Sequence, residues 1–141
     1  MPKRSFVLTY DDAKKLMKSA TDSAHKNGVP GAIAIVDSGG NLILLERLDN
    51  TMNSAANIAI GKAATAVSFK RPTIELENTI QEGRNTMLVL DSATAHPYIP
   101  LKGGYPIWHE NELLGAIAVA GTMNAEMDEV LVLEALANKG W

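Results

Sequence analysis

The sequence predicts an α+β layered domain, in which helices pack on an antiparallel sheet. Two segments carry the prediction: GAIAIVDSGG begins at Gly31, and the similar GAIAVAGT begins at Gly115. Both alternate alanine with Ile or Val at the period of two that is typical of a strand. The alanine face of such a strand lets a helix approach closely, and the branched face fills the other layer. The expected element order is α-β-β-α-(α)-loop-β-β-α.

Helices are predicted by apolar periodicity and by their end signals. Thr9 and Asp12 have the spacing of a capping box, and Gly28 provides a stop for the first helix. The second helix is rich in alanine and ends before Pro72. A long segment without a clear period precedes the second strand pair, and a loop of this length is often functional. The expected bounds are 10–27, 54–70, 73–81 and 124–138 for the helices, and 82–98 for the loop.

Two β-hairpins are expected, one on either side of the long loop. The first turns at Gly39-Gly40, and the second turns between His109 and Glu112. Both faces of the first strand are apolar as far as Asp37. This strand should therefore be central and covered on both sides.

The composition predicts a single domain over residues 1–141 and argues against several classes of partner. The net charge is −3, and no basic run exceeds two residues, which argues against nucleic acid or an anionic membrane. No apolar run approaches the roughly 20 residues that span a bilayer. The basic residues near the start are not followed by the apolar segment of a secretory signal, so we expect a cytoplasmic protein.

The absence of cysteine excludes disulfides, thiolate catalysis, zinc–thiolate sites and covalent haem attachment. No two histidines have close ligand spacing, and there is no HExxH, P-loop or GxSxG motif. We therefore expect no metal site.

The candidate charged residues each allow two interpretations. Lys62 is the only charge in the alanine-rich helix, where it either extends to solvent along an exposed face or meets an anion. Asp37 and Arg47 end the two strands of the first hairpin. We expect them to lie close together, either as a structural ion pair or as a substrate clamp.

The candidate backbone donors lie near the second hairpin. Gly103 and Gly104 precede a strand, where their N–H groups can bind an anion or form a plain turn. Thr122 stands at a strand-to-helix corner, which favours an anion or simple helix capping.

Three histidines remain as candidates for an acid, a base or a ligand. His96, in the long loop, is the best of them, although it can also be a solvated loop residue. His109 belongs to a turn and is expected at the surface. His25 lies near the end of the first helix, where a cation suits the helix dipole, and we assign it no function.

The segments AIVDSGGNL, ERLD, GKAATAVSF, GGYPI, LLGAIAVAG and MDE, in this order, resemble the GlcG/HbpS family over roughly residues 8–137. The resemblance implies about five antiparallel strands flanked by helices, comparable to profilin and PAS-like domains, in a homo-oligomer. Some relatives bind haem, one type is fused to a cobalamin adenosyltransferase, and others accompany catabolic systems. The family pattern includes Asp37, Arg47, Lys62, Thr65, Gly103, Gly104, Gly115, Gly121 and Asp128, of which we expect Asp37 and Asp128 to support the fold or the site.

Three functions remain open. The first is a small-ligand-binding protein, accessory to a catabolic pathway, that takes haem, another tetrapyrrole or a small anionic metabolite. The second is an isomerase, hydrolase or deaminase acting on a small carboxylate, with His96 as the proton carrier. The third is a non-catalytic oligomeric sensor or scaffold. The alanine-rich helix has two apolar sides, which one small sheet cannot both cover, and this also predicts a homo-oligomer.

The expected ligand site lies at one rim of the sheet, beneath the alanine-rich helix. Two cations and several backbone donors would prefer a small carboxylate or a tetrapyrrole propionate. Replacing Lys62 by methionine should then weaken ligand binding, with little effect on melting. The residues expected at this site are Arg47, Lys62, Gly103, Gly104 and Thr122, with His96 brought in by the loop.

Overall fold

The computed structural model describes residues 1–141 and has an α+β fold with one antiparallel sheet. No helix combines the length and the hydropathy needed to cross a membrane. The elements are α1 Tyr10–Asn27, β1 Ala32–Asp37, β2 Leu42–Arg47, α2 Ala55–Phe69, α3 Thr73–Gln81, β3 Gly104–His109, β4 Glu112–Ala120 and α4 Ala125–Ala137.

The sheet has four strands in the order β2-β1-β4-β3, as the predicted element order has it, rather than the five or so that the resemblance implied. The two hairpins supply all of its strands, because the segment between them is helical or unpaired. The two similar segments become β1 and β4, which pair directly at the centre of the sheet, with Ala32 opposite Ala120 and Ala34 opposite Ala118. Each central strand is covered on both sides, as predicted.

The two faces of the sheet differ in side-chain size. The face toward α2 is lined by alanines, and α2 contributes alanines such as Ala59 and Ala63 in return. The opposite face carries Ile33, Ile35 and Ile117, which pack under α1 and α4. The small–large alternation of the sequence therefore separates a close helix–sheet layer from a thicker one.

The bounds of α1 agree with the prediction because its end signals are local. Thr9 and Asp12 form the capping box, and Gly28 ends the helix in the left-handed conformation, at a φ of 66°. The other helices begin and end within a residue of the expected bounds.

The segment predicted as mostly loop contains a 3₁₀ helix, Asn85–Ala93. With α3 it forms a small separate core of Leu76, Met87 and Tyr98, and the Tyr98 hydroxyl donates to the Met87 carbonyl at 3.2 Å. Sequence periodicity did not reveal this helix because its period of three differs from that of an α-helix.

The second side of α2 is covered by the chain itself. The Ile99 N–H donates to Thr65 Oγ1 at 2.8 Å, and the Ile99 side chain occupies the space that a Cβ at Gly61 would need. An uncovered α2 face is therefore not a reason for oligomerisation, and the argument built on it is wrong. The homo-oligomer itself stays a prediction.

Candidate functional site

Lys62 lies on a buried side of α2, with 3% of its surface exposed, so the interpretation as a solvent-facing lysine is wrong. Its Nζ donates to the Val119 carbonyl at 3.0 Å and to Asp128 Oδ2 at 3.2 Å. Asp128 Oδ1 accepts from the Thr122 hydroxyl at 2.6 Å and from the Thr122 N–H at 3.3 Å. Lys62, Val119, Thr122 and Asp128, which we call the Lys62 cluster, join α2, β4 and α4.

The turn between β4 and α4 places the carboxylate of this cluster. Gly121 has a φ of 82°, which turns the chain away from the sheet, and Asn124 caps α4 by accepting from the Glu126 N–H at 2.9 Å. Asp128 then falls in the first turn of α4, where a negative charge is favourable. The carboxylate and the Val119 carbonyl together offset part of the desolvation cost of the lysine.

Gly103 and Gly104 lie directly against Lys62. A Cβ at Gly103 would come within 2.9 Å of Lys62 Nζ, and one at Gly104 within 2.7 Å of the Lys62 carbonyl oxygen. Their N–H groups donate to Glu129 Oε1 at 2.6 Å and to Thr73 Oγ1 at 2.9 Å. The backbone donors predicted for an anion are thus already bonded within the chain.

Carboxylates surround the same corner. Glu129 also accepts from the Tyr105 hydroxyl at 2.5 Å, and burial together with this bond raises the pKa of Tyr105. Lys102 Nζ pairs with Glu126 at 2.5 Å, and that hydrogen bond raises the pKa of Lys102. The rim at Gly103 therefore has no unpaired cation to offer an anionic ligand.

Arg47 and Asp37 lie at opposite ends of the first hairpin, so the expectation that they meet is wrong. The register pairs Arg47 with Ala32, at the end away from the turn, because the two strands are antiparallel. Asp37 instead shapes the turn, where its Oδ1 accepts from the N–H groups of Gly39 and Asn41 at 2.9 Å each.

His96 holds the long segment against the turn of the first hairpin. Its Nε2 lies 3.0 Å from the Gly39 carbonyl oxygen, and a Cβ at Gly40 would come within 2.7 Å of His96 Cδ2. This contact uses one ring nitrogen as a donor to the backbone. The catalytic role of His96 stays a prediction.

The structure brings together only part of the predicted site. Arg47 ends β2 and Gly103 precedes β3, and these strands form opposite edges of the sheet, three strand spacings or about 14 Å apart. Arg47 therefore lies outside the group that does converge, and so does His96, which contacts the turn of the first hairpin. That group consists of Lys62, Gly103, Gly104, Thr122 and Asp128.

An open groove lies at the other edge of the sheet, where α1 ends beside β2. It has a volume of about 390 Å³ and is lined by His25, Val29, Arg47, Leu48 and Asp49. The side chains of His25 and Arg47 are exposed and make no hydrogen bond or ion pair within the chain. Sequence reasoning assigned no function to His25, because only the pairing register and the turn after α1 bring it beside Arg47.

Comparison with known proteins adds a family match and several relatives. The family model HbpS-like, described as haem degrading protein HbpS-like, matches residues 8–137. Protein GlcG of Escherichia coli K12 is 30% identical over 84% of this chain and 84% of its own length. An uncharacterized 15.0 kDa protein from the dhaT–dhaS intergenic region of Citrobacter freundii is 29% identical, over 92% of this chain and 90% of that protein.

A third relative is longer than this chain. The corrinoid adenosyltransferase PduO of Salmonella typhimurium is 28% identical over 95% of this chain, which spans only 40% of PduO. Among solved structures, a PduOC:heme complex has a TM-score of 0.85 at 28% identity, covering 94% of each chain. A double mutant of Streptomyces reticuli HbpS has a TM-score of 0.87 at 28% identity, covering 99% of this chain and 92% of that one.

Proposed function

The chain belongs to the HbpS-like family, which confirms the resemblance, and from that premise we propose that it is a small-ligand-binding protein. Its ligand is haem, another tetrapyrrole or a small anionic metabolite, and its role is accessory to a catabolic pathway. The fold shared with a haem complex of PduOC supports a tetrapyrrole ligand.

The observation that carries this proposal is the pair of unpartnered cationic or basic groups in the groove between α1 and β2. The Arg47 guanidinium presents a planar fork of donors that matches a carboxylate. The His25 imidazole is a second donor when protonated and a metal ligand when neutral. Val29 and Leu48 line the groove between them with apolar surface.

These residues fit haem in three respects. His25 can hold the iron, Arg47 can pair with a propionate, and Val29 and Leu48 can contact the porphyrin ring. Bound haem supplies an iron centre with redox and ligand-binding chemistry. The carboxylate of Asp49 lies in the same groove, so Arg47 would be the one cation there that pairs with a propionate. Because the chain has no cysteine and the groove is open, binding should be reversible and non-covalent.

The Lys62 cluster is the weaker of the two candidate ligand regions. Its lysine, and the N–H groups of Gly103, Gly104 and Thr122, are bonded within the chain. A ligand there would have to displace a buried carboxylate from its lysine, which costs far more than occupying an open groove.

Titration with haemin, followed by the Soret band, tests the proposal. The parent should show a saturable shift near one haem per subunit. Loss of a charged hydrogen bond in Arg47→Ala should weaken binding about tenfold, and His25→Ala should also alter the position of the band. His96→Ala and His109→Ala are the matched histidine controls and should bind like the parent. Absence of a saturable shift, or sensitivity to His96 or His109 instead of His25, would overturn the assignment.

We also propose that the protein is a cytoplasmic homo-oligomer. The family resemblance implies the assembly, and the unpaired edge of β2 supports it, because Leu42 and Leu45 are exposed there by 47% and 36%. Light scattering behind size exclusion tests the assembly. A mass near 15.1 kDa at micromolar concentration would contradict it.

A further inference from the structure

Three aromatic rings form a corner on the face of the sheet that carries α1. The Phe6 and His109 ring centroids are 4.7 Å apart with an interplanar angle of 79°, and those of His109 and Trp141 are 5.7 Å apart at 83°. They line a pocket of about 190 Å³ together with Val7, Asp12 and Leu114. His109, expected at the surface, is thus half-buried between two aromatic side chains.

One hydrogen bond and the turn between β3 and β4 position Phe6 and His109 at this corner. The Phe6 N–H donates to Glu112 Oε2 at 2.7 Å, which ties the segment before α1 to the first residue of β4. His109 ends β3, and Glu110 and Asn111, both at positive φ, make the two-residue turn between the strands. Phe6 and His109 are therefore held by the same hairpin end.

The one carboxylate that lines the pocket, that of Asp12, favours a cation. Asp12 Oδ2 accepts from the Thr9 N–H, whereas its Oδ1 has no partner. The face of an aromatic ring attracts cations through its quadrupole, and tryptophan does so most strongly. Lys139 Nζ already lies 4.5 Å from the Trp141 ring centroid, so an ammonium group is accommodated at this ring.

The number of hydrogen-bond acceptors in the pocket indicates which kind of cation it can bind. A primary ammonium or a guanidinium needs several acceptors, whereas four of the six residues that line the pocket are hydrophobic and Asp12 is the one carboxylate among them. An alkylated ammonium needs few acceptors and gains from contact with aromatic faces. We propose that the pocket formed by Phe6, His109 and Trp141 binds a small alkylammonium cation of the quaternary type, independently of the groove at Arg47.

Choline is the probe, and 3,3-dimethyl-1-butanol is its neutral isostere of nearly equal shape. Binding is followed by saturation-transfer NMR of the ligand methyl groups, at constant ionic strength. Choline should bind saturably, and the isostere about tenfold more weakly, because the ring quadrupole acts only on the charge. Equal binding of the two ligands would show an apolar cleft only and overturn the proposal, as would failure to saturate below about 50 mM choline.

Variants locate the site. Trp141→Leu should weaken choline binding about tenfold and Phe6→Leu about threefold, while each keeps apolar bulk. Trp108→Phe, on the other tryptophan, is the matched control and should bind like the parent. Lys139→Gln removes the internal ammonium and should bind choline at least as tightly as the parent. Unchanged binding in Trp141→Leu, or a large loss in Lys139→Gln, contradicts this location even if another variant fails to fold.

Discussion

Lys62 and Arg47 are both cations that the sequence places beside apolar segments, yet they lie in opposite environments. The Lys62 side chain is 4% exposed and is paired with Asp128. Arg47 is exposed on an edge strand and has no partner within the chain. Asp128, the partner of Lys62, is 66 residues away in the sequence, so no local spacing of residues predicts the pair.

The two regions show how a cation that stabilises the fold differs from one that is available to bind a ligand. A closed polar cluster satisfies its own donors and acceptors and therefore links elements of the fold. A binding site needs donors that are exposed and unpaired, as at Arg47 and His25. A charge that is isolated in the sequence identifies neither role until its partner is known.

The largest expected effect is a loss of unfolding free energy in Lys62→Met. Asp128 then stays buried without its cation, and breaking a buried pair from one side costs about 3–5 kcal/mol. Urea unfolding followed by circular dichroism measures this change. The sequence alone predicts little effect on melting, so parental stability in Lys62→Met would restore that expectation and remove the contrast between the two regions.

The second effect is the cost of adding one methyl group beside the Lys62 cluster. Gly103 and Gly83 both have positive φ, at 119° and 110°, so backbone strain is shared by the two alanine variants. A Cβ at Gly103 would lie 2.7 Å from the Val119 carbonyl oxygen, whereas a Cβ at Gly83 meets nothing within 4 Å. Gly103→Ala should therefore be less stable than Gly83→Ala by about 1–3 kcal/mol in the same urea assay. Equal losses of unfolding free energy in the two variants would mean that the backbone around Gly103 shifts to accept the methyl group at little cost.

A smaller effect is expected at Tyr105, on the closed rim. Burial and the bond to Glu129 raise its pKa above the ordinary value of 10.0 in the folded protein. Its contribution to stability is therefore complete below pH 10.0 and declines as the pH rises toward the folded pKa, because the unfolded chain ionises first.

Urea midpoints measured on either side of pH 10 test this sign. Tyr105→Phe should lose about 1 kcal/mol at neutral pH, because one hydrogen bond is removed, and should decline less steeply in alkali. The exposed Tyr10 provides the control variant, Tyr10→Phe, which should follow the parent at every pH. A parental alkaline slope in Tyr105→Phe would contradict the role of Tyr105.

The smallest effect should occur in the open region. Arg47→Met and His25→Gln remove exposed side chains without internal partners, so each should change the free energy of unfolding by less than about 0.5 kcal/mol. The same variants should lose haemin affinity, which separates binding from folding. A large loss of stability in either variant would show that the groove is held together by contacts of its own.

Most of the fold could be predicted because its signals are local. The capping box at Thr9 and the stop at Gly28 fixed α1, and strict alternation identified the two central strands. The element order predicted from the residues has the four strands of the structure, whereas the family resemblance implied about five. The 3₁₀ helix Asn85–Ala93 was missed because short turns of that period leave a weak pattern.

The candidate site was harder to predict because it depends on register and on distant partners. Asp37 and Arg47 each end a strand of the same hairpin. Because the strands are antiparallel, Asp37 lies at the turn and Arg47 lies at the open end of the hairpin. Lys62 is paired with Asp128, which is distant in the sequence. The neighbourhood of His25 and Arg47 follows from how α1 docks beside β2, which no motif encodes.

The alanine layer between α2 and the sheet determines which substitutions the protein can accept. Nine of the eleven buried residues in this layer are alanines, and ordering them costs no side-chain conformational entropy because alanine has no rotamers. The branched residues on the other face of the sheet do lose such entropy. The same alanines cannot make room for a larger neighbour, because a methyl group has no alternative rotamer. A substitution that adds one carbon here must displace the whole helix, and with it Lys62 and every contact that α2 carries.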